Sequence, residues 1–133
     1  MKYVVDTHAL IWFLEGNLRL GTSAKTVLTD SASQLILPAI ALAEAVWIVE
    51  RARTSIPSVA DLLEAINADT RITIYQVDTA VVEQSICLSE ITEMHDRLIV
   101  ATVIILKNEG DNVALLTCDR NITTSDLVDI VWD

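Results

Sequence analysis

Four acidic residues stand beside apolar runs in widely separated parts of the chain. Asp6 closes Val4-Val5, and Glu44 is flanked by Leu42, Ala43, Ala45 and Val46. Asp96 precedes the apolar stretch that begins at Leu98-Ile99-Val100, and Asp119 follows Leu115-Leu116-Thr117-Cys118. Carboxylates that converge repel: a pair roughly 4 Å apart, at an effective dielectric near 20, costs about 4 kcal/mol before screening. Such a group persists by holding protons at raised pKa or by binding a hard cation. A donor set of oxygens alone suits Mg²⁺ or Mn²⁺, which keep several waters for substrate phosphates. No Cys/His pair has zinc spacing, and His8 and His95 read as structural or rim groups.

Convergence requires elements that deliver the acids to one place. Lys2–Val5 is a short β-rich run, followed by a helix over His8–Leu14 and a loop through Gly16 and Gly21. Ser23 is placed to cap a helix reaching about Ser31, and Leu35–Leu37 forms a second strand closed by Pro38. Ala39–Arg53 is alanine-rich, free of Gly and Pro, and predicts a helix. Ser58 with Asp61 three residues on resembles a capping box opening a helix to about Ala68. A strand over Ile72–Val77, a helix over Thr79–Ser89 and an apolar helix over Asp96–Asn108, stopped by Gly110, come next. Val113–Thr117 is a fourth strand and Val128–Trp132 a possible fifth. Short strands alternating with helices imply βαβ units: an α/β fold with a parallel sheet covered on both faces. Sites in such sheets lie beyond the carboxyl ends of the strands, near the reversal of strand order. Asp6 and Asp119 both occupy that edge, and they meet if their strands are neighbours. Taken singly, each acid also has an ordinary structural role open to it. Asp6 could be a helix cap, Asp96 an N-cap, Asp119 a turn residue and Glu44 a solvated helix position.

The chain of 133 residues fits one domain, 1–133, with enough length for a real core. No apolar run reaches the ~18–20 residues of a membrane span. The start, Met1-Lys2-Tyr3-Val4-Val5-Asp6, does not read as a secretory signal, so the expected location is the cytoplasm. In that compartment Cys87 and Cys118 are expected as buried reduced thiols. The net charge of −10, with only nine Lys and Arg, argues against nucleic-acid binding when taken alone. It suits a basic partner or a cation site, and the positions of the acids must decide between them.

Four blocks together resemble the PIN-domain family: Val4-Val5-Asp6-Thr7-His8-Ala9-Leu10-Ile11-Trp12, Glu44 within a helix, His95-Asp96-Arg97-Leu98-Ile99-Val100-Ala101-Thr102, and Leu115-Leu116-Thr117-Cys118-Asp119. They occur in family order across the whole chain, and the chain looks most like the compact VapC-type toxins of bacterial toxin–antitoxin pairs. The resemblance implies a Rossmann-like α/β/α sandwich with a central four- to five-stranded parallel sheet. It assigns catalytic and metal-binding roles to Asp6, Glu44, Asp96 and Asp119, Glu44 resting on it most heavily, with Thr117 orienting the Asp119 region. It further implies Mg²⁺- or Mn²⁺-dependent hydrolysis of RNA, leaving 5′-phosphate and 3′-hydroxyl ends. A cognate antitoxin with a basic segment and a homodimeric state are implied too.

Other readings compete. A phosphatase wants a second Asp two residues after the strand-end Asp, where this chain has His8, and a receiver wants a strand-end lysine, where Lys107 is mid-helix. A PIN nuclease of RNA processing or DNA repair, and a catalytically inactive PIN binding module, remain as alternatives. Two residues are candidates for contact with RNA or a partner. Arg51, seven residues after Glu44, should lie two turns along the same helix face, about 10 Å away, facing a phosphate. Trp47, at i+3 from Glu44, leans to that face and could stack on a base or meet a partner. Arg97 could form an ion pair or touch substrate, and exposed apolar positions near Trp12-Phe13 would suit the antitoxin.

Overall fold

The branched apolar runs form a single sheet. In a computed structural model that describes residues 1–133, the chain runs β1 (Lys2–Val5), α1 (Thr7–Glu15), α2 (Thr22–Thr29), β2 (Gln34–Pro38), α3 (Ala39–Glu50) and α4 (Val59–Ala68). It continues through β3 (Ile72–Tyr75), α5 (Thr79–Ile86), α6 (Met94–Asn108), β4 (Val113–Leu116), α7 (Arg120–Thr123) and β5 (Ile130–Val131). Strand order is β3-β2-β1-β4-β5, and every pairing is parallel. The chain moves outward from β1 to β2 to β3, then returns to place β4 on the other side of β1. Right-handed crossovers therefore put the helices of the two halves on opposite faces. Val4, Val5, Leu35, Ile36, Leu37 and the whole of β4 are buried, as strands covered on both faces must be.

Local chemistry explains most boundaries. Asp6 caps α1, and Gly16, at φ +68, ends it in the left-handed region that glycine occupies without strain. Ser58 accepts the Asp61 amide hydrogen to open α4. The middle of α6 is buried without interruption from Leu98 to Val103, which fits its apolar character all round. No helix is long and apolar enough to cross a membrane.

Several expectations are corrected. α3 stops at Glu50 instead of Arg53, because Ala52 adopts a left-handed φ of +52 and turns the chain. α6 starts at Met94, two residues early, so Asp96 lies inside its first turn and Glu93 takes the cap position. α7 had no periodic signal in its four residues, and β5 shortens to Ile130–Val131. Cys87 and Cys118 are both free, but both are exposed: neither side chain falls on a core face. Trp12 and Phe13 are half-buried against the core rather than displayed.

Ser23 does not cap α2. Its hydroxyl instead donates to the Asp133 carbonyl at 2.6 Å, while the Ala24 amide donates to the Trp132 carbonyl at 3.0 Å. The chain end thus satisfies an amide that the start of α2 leaves free. Gly21 makes this approach possible, because a Cβ there would lie 2.2 Å from the Trp132 carbonyl oxygen. Gly21→Ala should therefore cost about 1–3 kcal/mol in urea unfolding. Stability within ~0.5 kcal/mol of wild type would show that this seam yields freely.

Candidate active site

The register of the sheet fixes the first two acids. Val5 lies opposite Leu116, so the residues that follow, Asp6 and Thr117-Cys118-Asp119, emerge side by side where strand order reverses. The Asp6 amide donates to the Leu116 carbonyl at 3.3 Å, continuing the ladder one step past β1. The Asp6 side chain then accepts the Ala9 amide at 2.8 Å, which holds the carboxylate at the N-terminus of α1. Asp119 is fixed in a similar way, accepting the Asn121 amide at 2.9 Å as the cap of α7. Between them Thr117 is fully buried, and its hydroxyl accepts the Asp119 amide at 3.1 Å.

The helices supply the other two acids. Glu44 lies at the edge of the buried stripe Ala41-Ala45-Val49 of α3. It accepts the Thr7 hydroxyl at 3.1 Å, and its other oxygen lies 3.7 Å from His95 Nδ1. Asp96, half-buried at the start of α6, has the amide end of that helix dipole beside it.

The other three carboxylates lie close enough to Asp96 for their charges to act on it. Burial raises the Asp96 carboxyl to about 7, with Asp119, Glu44, Glu93 and Asp6 all pushing in the same direction. Burial also raises Asp6 to about 6, against the opposing pull of the Thr117 hydroxyl, the Ala9 amide and His8, while Asp119 adds to the rise. The neighbouring Cys118 thiol, though its side chain reaches solvent, is raised by partial desolvation and by the charges of Asp6 and Asp119. An oxygen-only set that strains toward neutrality matches the chemistry of a hard divalent ion. The side chains stand open, however: no three of the acids close around a single point at ligand distance.

Sequence reasoning placed the acids on the right elements but missed Thr7 and His95 as partners of Glu44, and Glu93 as a fifth acid nearby. Their adjacency to Asp6 and Asp96 was the available signal. Arg51 departs from expectation. Beyond the helix end it folds back over the Trp47 ring at 3.6 Å and reaches the Trp47 carbonyl at 3.4 Å. Arg97 forms no ion pair; its guanidinium donates to the Ile91 and Ser89 carbonyls and braces the turn before α6.

The fold and site together define a class: a parallel α/β sandwich with an acidic centre at the reversal of strand order. The sequence profile of the PIN domain matches residues 3–126, and the chain belongs to the PIN-domain family. A search of curated proteins finds no match. Among solved structures, it is similar to VapBC2 from Rickettsia felis bound to a promoter DNA fragment, with TM-score 0.70, 17% identity and full coverage of both chains. It is similar to VapC20 of Mycobacterium tuberculosis, described as a sarcin–ricin loop cleaving toxin, with TM-score 0.68 and 17% identity over 98% of this chain and 99% of that one. A toxin–antitoxin complex from Klebsiella pneumoniae matches with TM-score 0.62 and 20% identity over 90% and 88%. At these identities the likeness establishes the fold.

Raised carboxyls have a stability consequence. With folded pKa values near 6 and 7, Asp6 and Asp96 keep protons that the unfolded chain loses near pH 4. The contribution of these two groups should therefore fall as pH rises from about 4 to 7, then level off. For metal-free protein, Asp6→Asn should be more stable than wild type at pH 8, by on the order of 2–3 kcal/mol, with about half of that advantage left at pH 5 and none below about pH 4. Denaturant melts at these pH values decide this; an Asn variant less stable at pH 8 would contradict it.

Proposed function

We propose that this PIN-domain chain is a Mg²⁺- or Mn²⁺-dependent endoribonuclease, the toxin of a VapBC-type toxin–antitoxin pair acting in the cytoplasm. The observation that carries the reading is the convergence of Asp6, Glu44, Asp96 and Asp119 on one pole, with two of them driven toward neutral pKa values. The likeness to VapC20 and to two toxin–antitoxin assemblies supports it at the level of fold.

A bound divalent ion would supply polarisation of the scissile phosphate and a lower pKa for an attacking water. Asp6, Asp96 and Asp119 are the residues that would hold it, with Glu44 beside them. Thr117 would keep Asp6 and Asp119 in register, since its hydroxyl serves both strand ends. Thr7 and His95 would orient Glu44. No side chain needs to act as a covalent nucleophile, and the neighbouring carboxylates disfavour the Cys118 thiolate. The product ends implied by the family, 5′-phosphate and 3′-hydroxyl, correspond to attack by water with the P–O3′ bond broken and the 3′-oxygen leaving as the hydroxyl.

The acidic pole also favours a basic inhibitor. An antitoxin segment bearing a cation would neutralise the same carboxylates that an ion would, which makes inhibition and metal binding alternatives at one site. We include a homodimer in the proposal on the strength of the family resemblance.

In an RNA cleavage assay with Mg²⁺, Asp6→Asn and Asp96→Asn should each lower the rate at least ~100-fold, and Thr117→Val roughly 10- to 100-fold. EDTA should abolish cleavage and added Mn²⁺ restore it. Wild-type rates in the Asn variants, or cleavage in EDTA, would contradict the proposal.

A further inference from the structure

The chain has nine Lys and Arg, and three are consumed by the fold. Lys2 pairs with Asp111, Arg71 binds Asp69 and the Leu28 and Asp30 carbonyls, and Arg97 binds carbonyls before α6. Of the remaining six, Arg19, Arg51 and Arg53 gather on one side of the acidic pole, and none of the three is in a salt bridge.

Their gathering has a local cause. The left-handed turn at Ala52 ends α3 and reverses the backbone, so that the Arg53 amide donates to the Ile48 carbonyl at 3.2 Å. Glu15 locks the reversed loop to α1 by accepting the Thr54 hydroxyl at 2.6 Å and the Ser55 amide at 3.1 Å. The result is an open cleft of about 450 Å³ whose lining includes His8, Trp12, Glu15, Arg19, Trp47 and Arg53, with Glu15 close enough to Arg19 to feel its charge. Arg19 lies 6.0 Å from the Trp12 ring centre. Trp47, 48% exposed, is shared with a second hollow of about 370 Å³ that contains Glu44 and His95. The cleft therefore joins the acidic centre at two places: His8 is two residues beyond Asp6, and Trp47 is one helical turn beyond Glu44.

We propose that this cleft is the track for the single-stranded RNA segment next to the scissile phosphate. Arg19 and Arg53 hold backbone phosphates, and Trp47 provides a ring against which one base stacks. The proposal rests on the ribonuclease reading and adds to it where the strand lies beside the acidic centre and which residues hold it; a base can stack there only where it is free to leave its own stack. It also addresses the charge problem, because a protein of net charge −10 can grip RNA only through a local excess of cations. Here Arg19, Arg51 and Arg53 stand against the single carboxylate of Glu15, which the Thr54 hydroxyl and Ser55 amide already occupy. Arg51 covers one face of Trp47, so it stiffens the ring and leaves the opposite face for the base.

The test is binding of a fluorescent unstructured RNA oligonucleotide, and of the same sequence as a duplex, by the full chain in EDTA over a salt series. EDTA separates binding from cleavage. The Arg19→Ala/Arg53→Ala double variant should lower the slope of log K against log salt by about 1 to 2 and weaken binding roughly tenfold or more. Trp47→Ala should weaken single-strand binding about five- to tenfold or more with little change of slope. Duplex binding should be weaker than single-strand binding in wild type and insensitive to Trp47→Ala. Lys107→Ala, at the far end of α6, should change none of these, and melting temperatures identify any variant that loses affinity through unfolding. A wild-type slope in the double variant would overturn the track and leave the cleft to a protein partner. Wild-type chain that neither binds nor cuts RNA would instead overturn the ribonuclease reading.

Discussion

Repulsion among carboxylates at the reversal of strand order is the interaction on which the rest of this structure turns. β1 and β4 are neighbours only because the chain reverses direction after β3, and that reversal sets Asp6 beside Asp119. Two helices then add Glu44 and Asp96 to a place where charge is already unwelcome. The rise of Asp96 to about 7 measures the conflict, with burial first and then the neighbouring acids responsible. A fold that keeps such a cluster pays a stability cost that core packing elsewhere must offset.

The cost is limited by giving the acids structural work. Asp6 and Asp119 both cap helices, so removing either carboxylate would also free an amide. The structural and chemical roles therefore coexist, and capping does not argue against function. Thr117 shows the same economy: one buried hydroxyl meets the backbone of Asp119 and opposes the rise of Asp6. The half-buried polar network around Arg71, at the opposite end of β3, does comparable work in holding loops without touching the site.

Much of this was legible in the sequence. The strands declared themselves through β-branched runs, and α6 through apolar residues on every face. Ser58 and Gly16 marked helix ends by known chemistry. What escaped was set by tertiary context. Ala52 carries no sign of a left-handed turn, so α3 seemed to run on to Arg53, whereas Arg51 lies past the helix end, over the Trp47 ring. α6 extends back to Met94 from a cap residue, Glu93, that makes no side-chain capping bond, so its true start left no cap signature in the sequence, although Asp96 does lie in the first turn. Ser23 has the chemistry of a cap but is claimed by the chain end. The side-chain couplings of the acids, and the partners Thr7 and His95, depend on distances that spacing alone does not encode.

The central claim is that Asp6, Glu44, Asp96 and Asp119 form one centre that relieves its repulsion by binding a hard divalent cation. Titration with Mn²⁺ followed by electron paramagnetic resonance tests it most directly, because bound and free ions are distinguished without any substrate. The expected result is Mn²⁺ binding to wild-type protein, displacement by excess Mg²⁺, and loss of binding in Asp6→Asn and Asp96→Asn proteins that remain folded. Undiminished Mn²⁺ binding in both variants, or none in wild type, would contradict the account.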